Sequence, residues 1–133
     1  MLNEKLIKIA SELINYREYG NSSMGSVACA LVSEKGNTYT GVCIDTSSGM
    51  GFCAEHTAIS QMITHGEYVI SRIVAVKKDE VGDTFVLAPC GRCREFMRQI
   101  NVMNLETDVV LDKDRAIKLI ELLPLYDWKK KQE

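Results

Sequence analysis

Long apolar runs, clusters of basic residues and repeats are what this 133-residue chain lacks. Its longest apolar stretches, such as Ile73 to Val76, fall far short of the ~20 residues a membrane-spanning helix needs. The opening Met1-Leu2-Asn3-Glu4-Lys5 has no apolar segment of the kind that directs export, so the expectation is a cytoplasmic protein with no membrane partner. Apart from Lys129-Lys130-Lys131 there is no run of lysine and arginine. With a net charge of -2, the footprint of a nucleic-acid binder is missing and a small molecule is the expected partner. Low-complexity tracts and linkers are absent too. A composition 46% hydrophobic and 26% charged then predicts a single globular domain, residues 1-133, around one core.

Five cysteines are present, and without an export signal they are expected to be reduced thiols. Three of them fall in two short motifs, Cys53-Ala54-Glu55 and Pro89-Cys90-Gly91-Arg92-Cys93. A lone Cys-x-x-Cys is a weak signal. Preceded by proline and paired with an upstream Cys-Ala-Glu, it supplies three thiolates and one carboxylate that is not needed as a ligand. Catalytic zinc takes three protein ligands and leaves a position for water, whose pKa falls to about 7, whereas structural zinc is closed by four. Cys53, Cys90 and Cys93 are therefore the candidate zinc ligands and Glu55 the candidate general acid/base. Of the remaining cysteines, Cys29 lies in the apolar run Val27 to Val32 and reads as a small core hydrophobe.

Leu2, Leu6, Ile9, Leu13 and Tyr16 recur every three or four residues, which predicts an amphipathic helix over about residues 2 to 19, stopped by Gly20 and Asn21. Residues 26 to 34 and 38 to 45, joined by Lys35-Gly36-Asn37, read as a strand hairpin. After the loop Thr46 to Gly51, a helix is expected from Cys53, with His65 in its last turn and Gly66 beyond. Strands are expected at Ile70 to Val76 and Thr84 to Ala88, a third helix at about 90 to 100, and a short strand at Val109 to Leu111. A last apolar piece, Ala116 to Leu123, stops at Pro124. Helices alternating with strands after a hairpin imply a mixed sheet with helices on both faces.

On this map both motifs open helices. Cys90 and Cys93 share one face of a first turn, and the positive helix end favours thiolate there as it does at Cys53. Glu55, two residues after Cys53 in the same first turn, could reach a metal-bound water without ligating the ion. Three thiolates on a divalent zinc leave a charge of -1, which something cationic should offset. Arg92, between the paired cysteines, is the candidate for charge compensation, with Arg94 close behind. With the ligand set complete, His56 reads as a helix-surface residue and His65 as a helix-end cation.

These motifs resemble those of the cytidine deaminase family in its small, three-cysteine form, and the likeness runs from about Ser26 to Trp128. It implies a three-layer α/β/α fold around a five-stranded mixed sheet, one Zn2+ per chain and a homotetramer. It further implies that activated water attacks C4 of a cytosine ring while Glu55 carries a proton to N3 and then to the departing amine. By the same analogy the Ala54 N-H contacts the ring O2, the Ala88 carbonyl receives the amino group, and Tyr126 or Trp128 closes the pocket or packs the terminal segment. Two positions depart from the family. His56 stands where an arginine commonly hydrogen-bonds the cysteine sulfurs, and Cys43-Ile44-Asp45 stands where Asn-x-Glu holds the sugar. Ser26-Val27-Ala28-Cys29-Ala30, Thr40-Gly41-Val42 and Arg92 between the cysteines also resemble blasticidin-S deaminases. The substrate expected is thus cytidine or deoxycytidine, or alternatively blasticidin S or another modified cytosine nucleoside. Three rival classes remain: a redox protein using Cys90 and Cys93, a non-catalytic zinc-stabilised nucleoside-binding module, and an RNA-editing deaminase.

Overall fold

The computed structural model describes all residues from Met1 to Glu133. Helix α1 (Asn3–Ser11) precedes a short strand β1 (Arg17–Tyr19), and the long β2 (Ser22–Ser33) turns into β3 (Thr38–Thr46). Then follow α2 (Ala54–Thr64), β4 (Ile70–Lys78), β5 (Thr84–Leu87), α3 (Gly91–Ile100), β6 (Asp108–Asp112) and β7 (Arg115–Lys118). All seven strands join one mixed sheet. In it β2 lies between β3 and β4, both antiparallel to it, while β6 runs parallel to β4. The expected three layers are present, since α2 and α3 cover one face and α1 the other.

Side-chain alternation along β2 explains the layers. Cys29 and Leu31 point into a core with Ala58, Ile59 and Met62 of α2 and Met97 of α3. Ala28, Ala30 and Val32 point the opposite way, to Leu6 and Ala10 of α1 and to Val74, Val76 and Val110. Small alanines on that face let the short helix lie close. Cys29 is fully buried, as a core hydrophobe should be.

Two expectations need correction. The sheet has seven strands rather than five, because Arg17–Tyr19, expected as the end of a helix, pairs with β2, and Arg115–Lys118, expected as part of an apolar piece, pairs with β6. The first helix ends at Ser11, not near residue 19. Beyond it Leu13 and Tyr16 are exposed, so their helical spacing finds no core to cover. Gly20 and Asn21 instead turn β1 back onto β2, pairing Tyr19 with Ser22.

Two contacts decide where the site-bearing helices sit. At Gly41 of β3 an added Cβ would lie 2.5 Å from the Ala58 nitrogen, so only glycine lets α2 approach this closely. Thr57 Oγ1 then donates to the Val42 carbonyl at 2.9 Å. Helix α3 is held from its far end by fully buried Asn104, whose Nδ2 donates to Met97 O at 2.9 Å and Tyr68 O at 3.2 Å while its Oδ1 accepts from Ile70 N at 2.8 Å. Leaving such partners unsatisfied would cost about 1-3 kcal/mol each.

Candidate metal centre and cavity

Cys53 is the N-cap residue of α2 and Cys90 that of α3, so the two helices begin at one spot. The chain reaches that spot by ordinary local rules: extended backbone at both caps, a proline before Cys90, and apolar residues that seat each helix on the sheet. Cys53 Sγ lies 3.8 Å from Cys90 Sγ, and Cys90 Sγ lies 3.6 Å from Cys93 Sγ. All three sulfurs are within 4.8 Å of one another. Zn-S bonds of about 2.3 Å in a tetrahedron put sulfurs about 3.8 Å apart, so the triad fits one zinc per chain.

The thiols' chemistry agrees. Burial, then the Glu55 charge, pushes the Cys93 thiol far up, and burial also raises Cys53. For Cys90, burial is outweighed by the Cys93 and Arg92 backbone N-H groups and the neighbouring thiols, so it sits below its ordinary value. Three thiols placed like this ionise together only around a cation.

Cys53 and Cys90 line a cavity of about 460 Å³, a size suited to a small organic ligand, while Cys93 is fully buried. Glu55 and Ala54 line the cavity from α2, Ala88 from just past β5, and Cys43 and Asp45 from β3. Glu55 is only 6% exposed. Burial raises its pKa, while its own backbone N-H and the Cys93 thiol pull it down more weakly. A carboxyl shifted upward is suited to holding and passing a proton near neutral pH.

At the far end, Cys43 Sγ is 3.3 Å from both Val27 N and Ser26 Oγ and 3.9 Å from an Asp45 carboxylate oxygen. Its weak acceptor capacity is therefore taken up by its own strands. Asp45 is exposed at the mouth.

His56 departs from the surface position expected of it. It is 8% exposed, and its Nδ1 lies 3.6 Å from Cys93 Sγ. Burial, then the Arg92 charge, lowers its pKa. Its ring stacks on Phe96 at 4.1 Å between centroids, with Phe52 at 6.5 Å. By contrast Arg92 is exposed at the cavity edge and hydrogen-bonds none of the sulfurs, while Arg94 turns away to the carbonyls of Pro89 at 2.7 Å and Leu122 at 3.0 Å. Neither Tyr126 nor Trp128 lines this chain's cavity, and Trp128 is 70% exposed. His65 caps α2, its ring nitrogen 2.9 Å from Gln61 O. Sequence reasoning missed Ser26 and Phe52 as cavity residues. An aromatic immediately before the first cysteine was the one available signal.

Residues 2–107 match the family described as the cytidine and deoxycytidylate deaminase zinc-binding region. The chain belongs to this family. A probable cytidine deaminase of Dictyostelium discoideum is 32% identical over 99 residues, 72% of this chain and 65% of that protein. A blasticidin-S deaminase of Bacillus cereus is 32% identical over 98 residues, 70% of this chain and 69% of that one. The chain thus spans about two thirds of the length of these curated relatives. The crystal structure of a Mycobacterium leprae cytidine deaminase superposes with a TM-score of 0.72 at 28% identity, covering 93% of this chain and 99% of that one. No helix of the chain is long and apolar enough to cross a membrane.

Proposed function

We propose that this chain catalyses the hydrolytic deamination of a cytosine nucleoside, cytidine or deoxycytidine, to the uracil form and ammonia. One observation carries the reading: three sulfurs lie at zinc spacing, and two of them, those of Cys53 and Cys90, share a cavity with the buried Glu55. Cys53, Cys90 and Cys93 would hold zinc, whose chemistry when bound would be to make water acidic enough to ionise near neutral pH.

Glu55 would take one proton of the attacking water and deliver it to ring N3, then carry that water's second proton, released as the C4 hydroxyl becomes a carbonyl, to the departing amine. Its upward shift supports this double duty, since a strongly ionised carboxylate would not donate. Ala54 N-H and the Ala88 carbonyl, both at the cavity wall, orient the ring through O2 and the exocyclic amine. Cys43 and Asp45 face the sugar. The second reading is a modified cytosine nucleoside such as blasticidin S. It is favoured by the engaged Cys43 sulfur, which leaves Asp45 as the polar group available on that side, and by the likeness to the Bacillus cereus protein.

The reading extends to a single domain in the cytoplasm that assembles as a homotetramer, with Tyr126 or Trp128 closing a pocket. The 38% and 70% exposure of Phe52 and Met50 near the mouth supports a neighbouring subunit there. Buried Glu55 and the third clustered thiol argue against a pure binding module and a dithiol redox centre. The test is to incubate zinc-analysed protein with cytidine, deoxycytidine, blasticidin S and cytosine and to follow the ultraviolet change. Turnover of at least one nucleoside, lost in Glu55→Ala, is expected; no turnover of any would sink the proposal.

A further inference from the structure

Of the three sulfurs, that of Cys93 is fully buried, whereas Cys90 is exposed and Cys53 lies between. Water can therefore help to stabilise a thiolate at Cys90 but not at Cys93. A buried charge without a hydrogen-bond donor is costly. The side-chain nitrogen beside it is His56 Nδ1, at 3.6 Å, within range for an N-H···S bond. The imidazole makes no other side-chain hydrogen bond, and its ring is locked by the stack on Phe96, 18° from parallel, with Phe52 beyond. Phe96 belongs to α3, one turn beyond Cys93, and His56 to the first turn of α2. One donor thus ties the two helix starts together at the metal.

Resting on the zinc reading above, we infer that His56 is a positioning residue of the metal centre, which donates Nδ1-H to the Cys93 thiolate and fixes that sulfur's direction through its aromatic stack. It replaces Arg92 as the group that supports the thiolates. Phe52 lines the cavity, so the same stack joins the ligand-facing wall to the metal ligand.

Two measurements on the zinc-loaded protein test this. His56→Phe keeps an aromatic ring against Phe96 and removes the N-H. Zinc affinity, read by competition with a chromogenic chelator, is expected to fall about 10- to 100-fold, as loss of such outer contacts generally does. An affinity within twofold of the parent overturns the inference. Independently, nitrogen NMR of histidine-labelled parent protein is expected to find the His56 proton on Nδ1. A proton on Nε2 alone overturns it, and this readout holds even should the variant fail to fold. Absence of zinc from the parent protein would instead sink the reading on which this rests.

Discussion

Helix α2 carries a buried glutamate at each end, and the two behave oppositely. Glu55 in its first turn and Glu67 just past its C-terminus are both 6% exposed. Glu55 is raised above the ordinary carboxylate range by burial. Glu67 is lowered to about 2 by hydrogen bonds from Ser33, Tyr39 and Asn37, which outweigh its burial, and by Lys35. Its Oε2 accepts from the Tyr39 hydroxyl and, at 2.8 Å, from Asn37 Nδ2. The number of donors, not the depth of burial, sets the sign of the shift. Glu67 fastens the β2–β3 turn to the helix end as a permanent anion. Glu55 has only its own backbone N-H and the Cys93 thiol, too little to offset its burial, and that leaves it able to take up a proton.

Charge removal at each end should expose this division most strongly. Glu55→Gln is expected to lower turnover by about 10²- to 10⁴-fold, the usual worth of a positioned general acid/base, while the zinc content stays unchanged. Its unfolding midpoint in urea at pH 7 should equal or exceed that of the parent, since an ill-solvated charge is gone. A Glu55→Gln variant that turned over normally would remove the functional half of the comparison.

Moving the helix itself is the next test. Gly41→Ala would drive a Cβ to 2.5 Å from Ala58 N, forcing α2 off β3. Overpacking of this kind costs about 1-3 kcal/mol, which denaturant unfolding would read. Activity should fall with it, since Cys53 and Glu55 travel with α2. Retained stability would mean that the strand, not the helix, yields.

At the other end, Glu67→Gln should lower the unfolding midpoint at neutral pH without changing kcat. The sign of its pH dependence follows from the depressed pKa. A carboxylate that titrates near 2 when folded and near 4.5 when free stabilises fully above 4.5, and loses that contribution as pH falls through about 2. The gap between parent and Glu67→Gln should therefore be constant above pH 4.5 and close between 4.5 and 2. A gap that stayed constant down to pH 2 would show that Glu67 is held by shape and not by charge.

The metal end of this comparison was legible in the sequence, and the rest much less so. Cys53, Glu55, Cys90 and Cys93 declare themselves because zinc chemistry demands few residue types at helix starts, and spacing alone brings Cys90 and Cys93 to one face. The hairpin, α2, α3 and the central strands followed from periodicity and from Gly36 and Gly66. The sequence predicts α1 too long, because Leu13 and Tyr16 keep helical spacing while having no core to meet. Strands β1 and β7 are short edge elements whose pairing partners supply what their sequence does not. The Glu67 network joins residues about thirty apart in sequence, and the His56 to Cys93 contact joins residues thirty-seven apart. No local pattern announces either.

The smallest effect is expected where the sequence pointed most directly to a cation. Arg92 sits between two ligands, yet its guanidinium is exposed and bonded to no sulfur, so water and salt screen its field at the thiolates. Arg92→Ala should leave zinc bound and lower turnover only a few-fold, by an amount that shrinks as ionic strength rises. His56→Phe, which removes a buried contact, should cost more zinc affinity than Arg92→Ala at any salt concentration. If Arg92→Ala were instead the more damaging, and equally so in high salt, the guanidinium would have to move inward and bond the sulfurs once the metal is held. The rule drawn from the two glutamates, that donors in contact outweigh charges at the surface, would then fail at the metal centre.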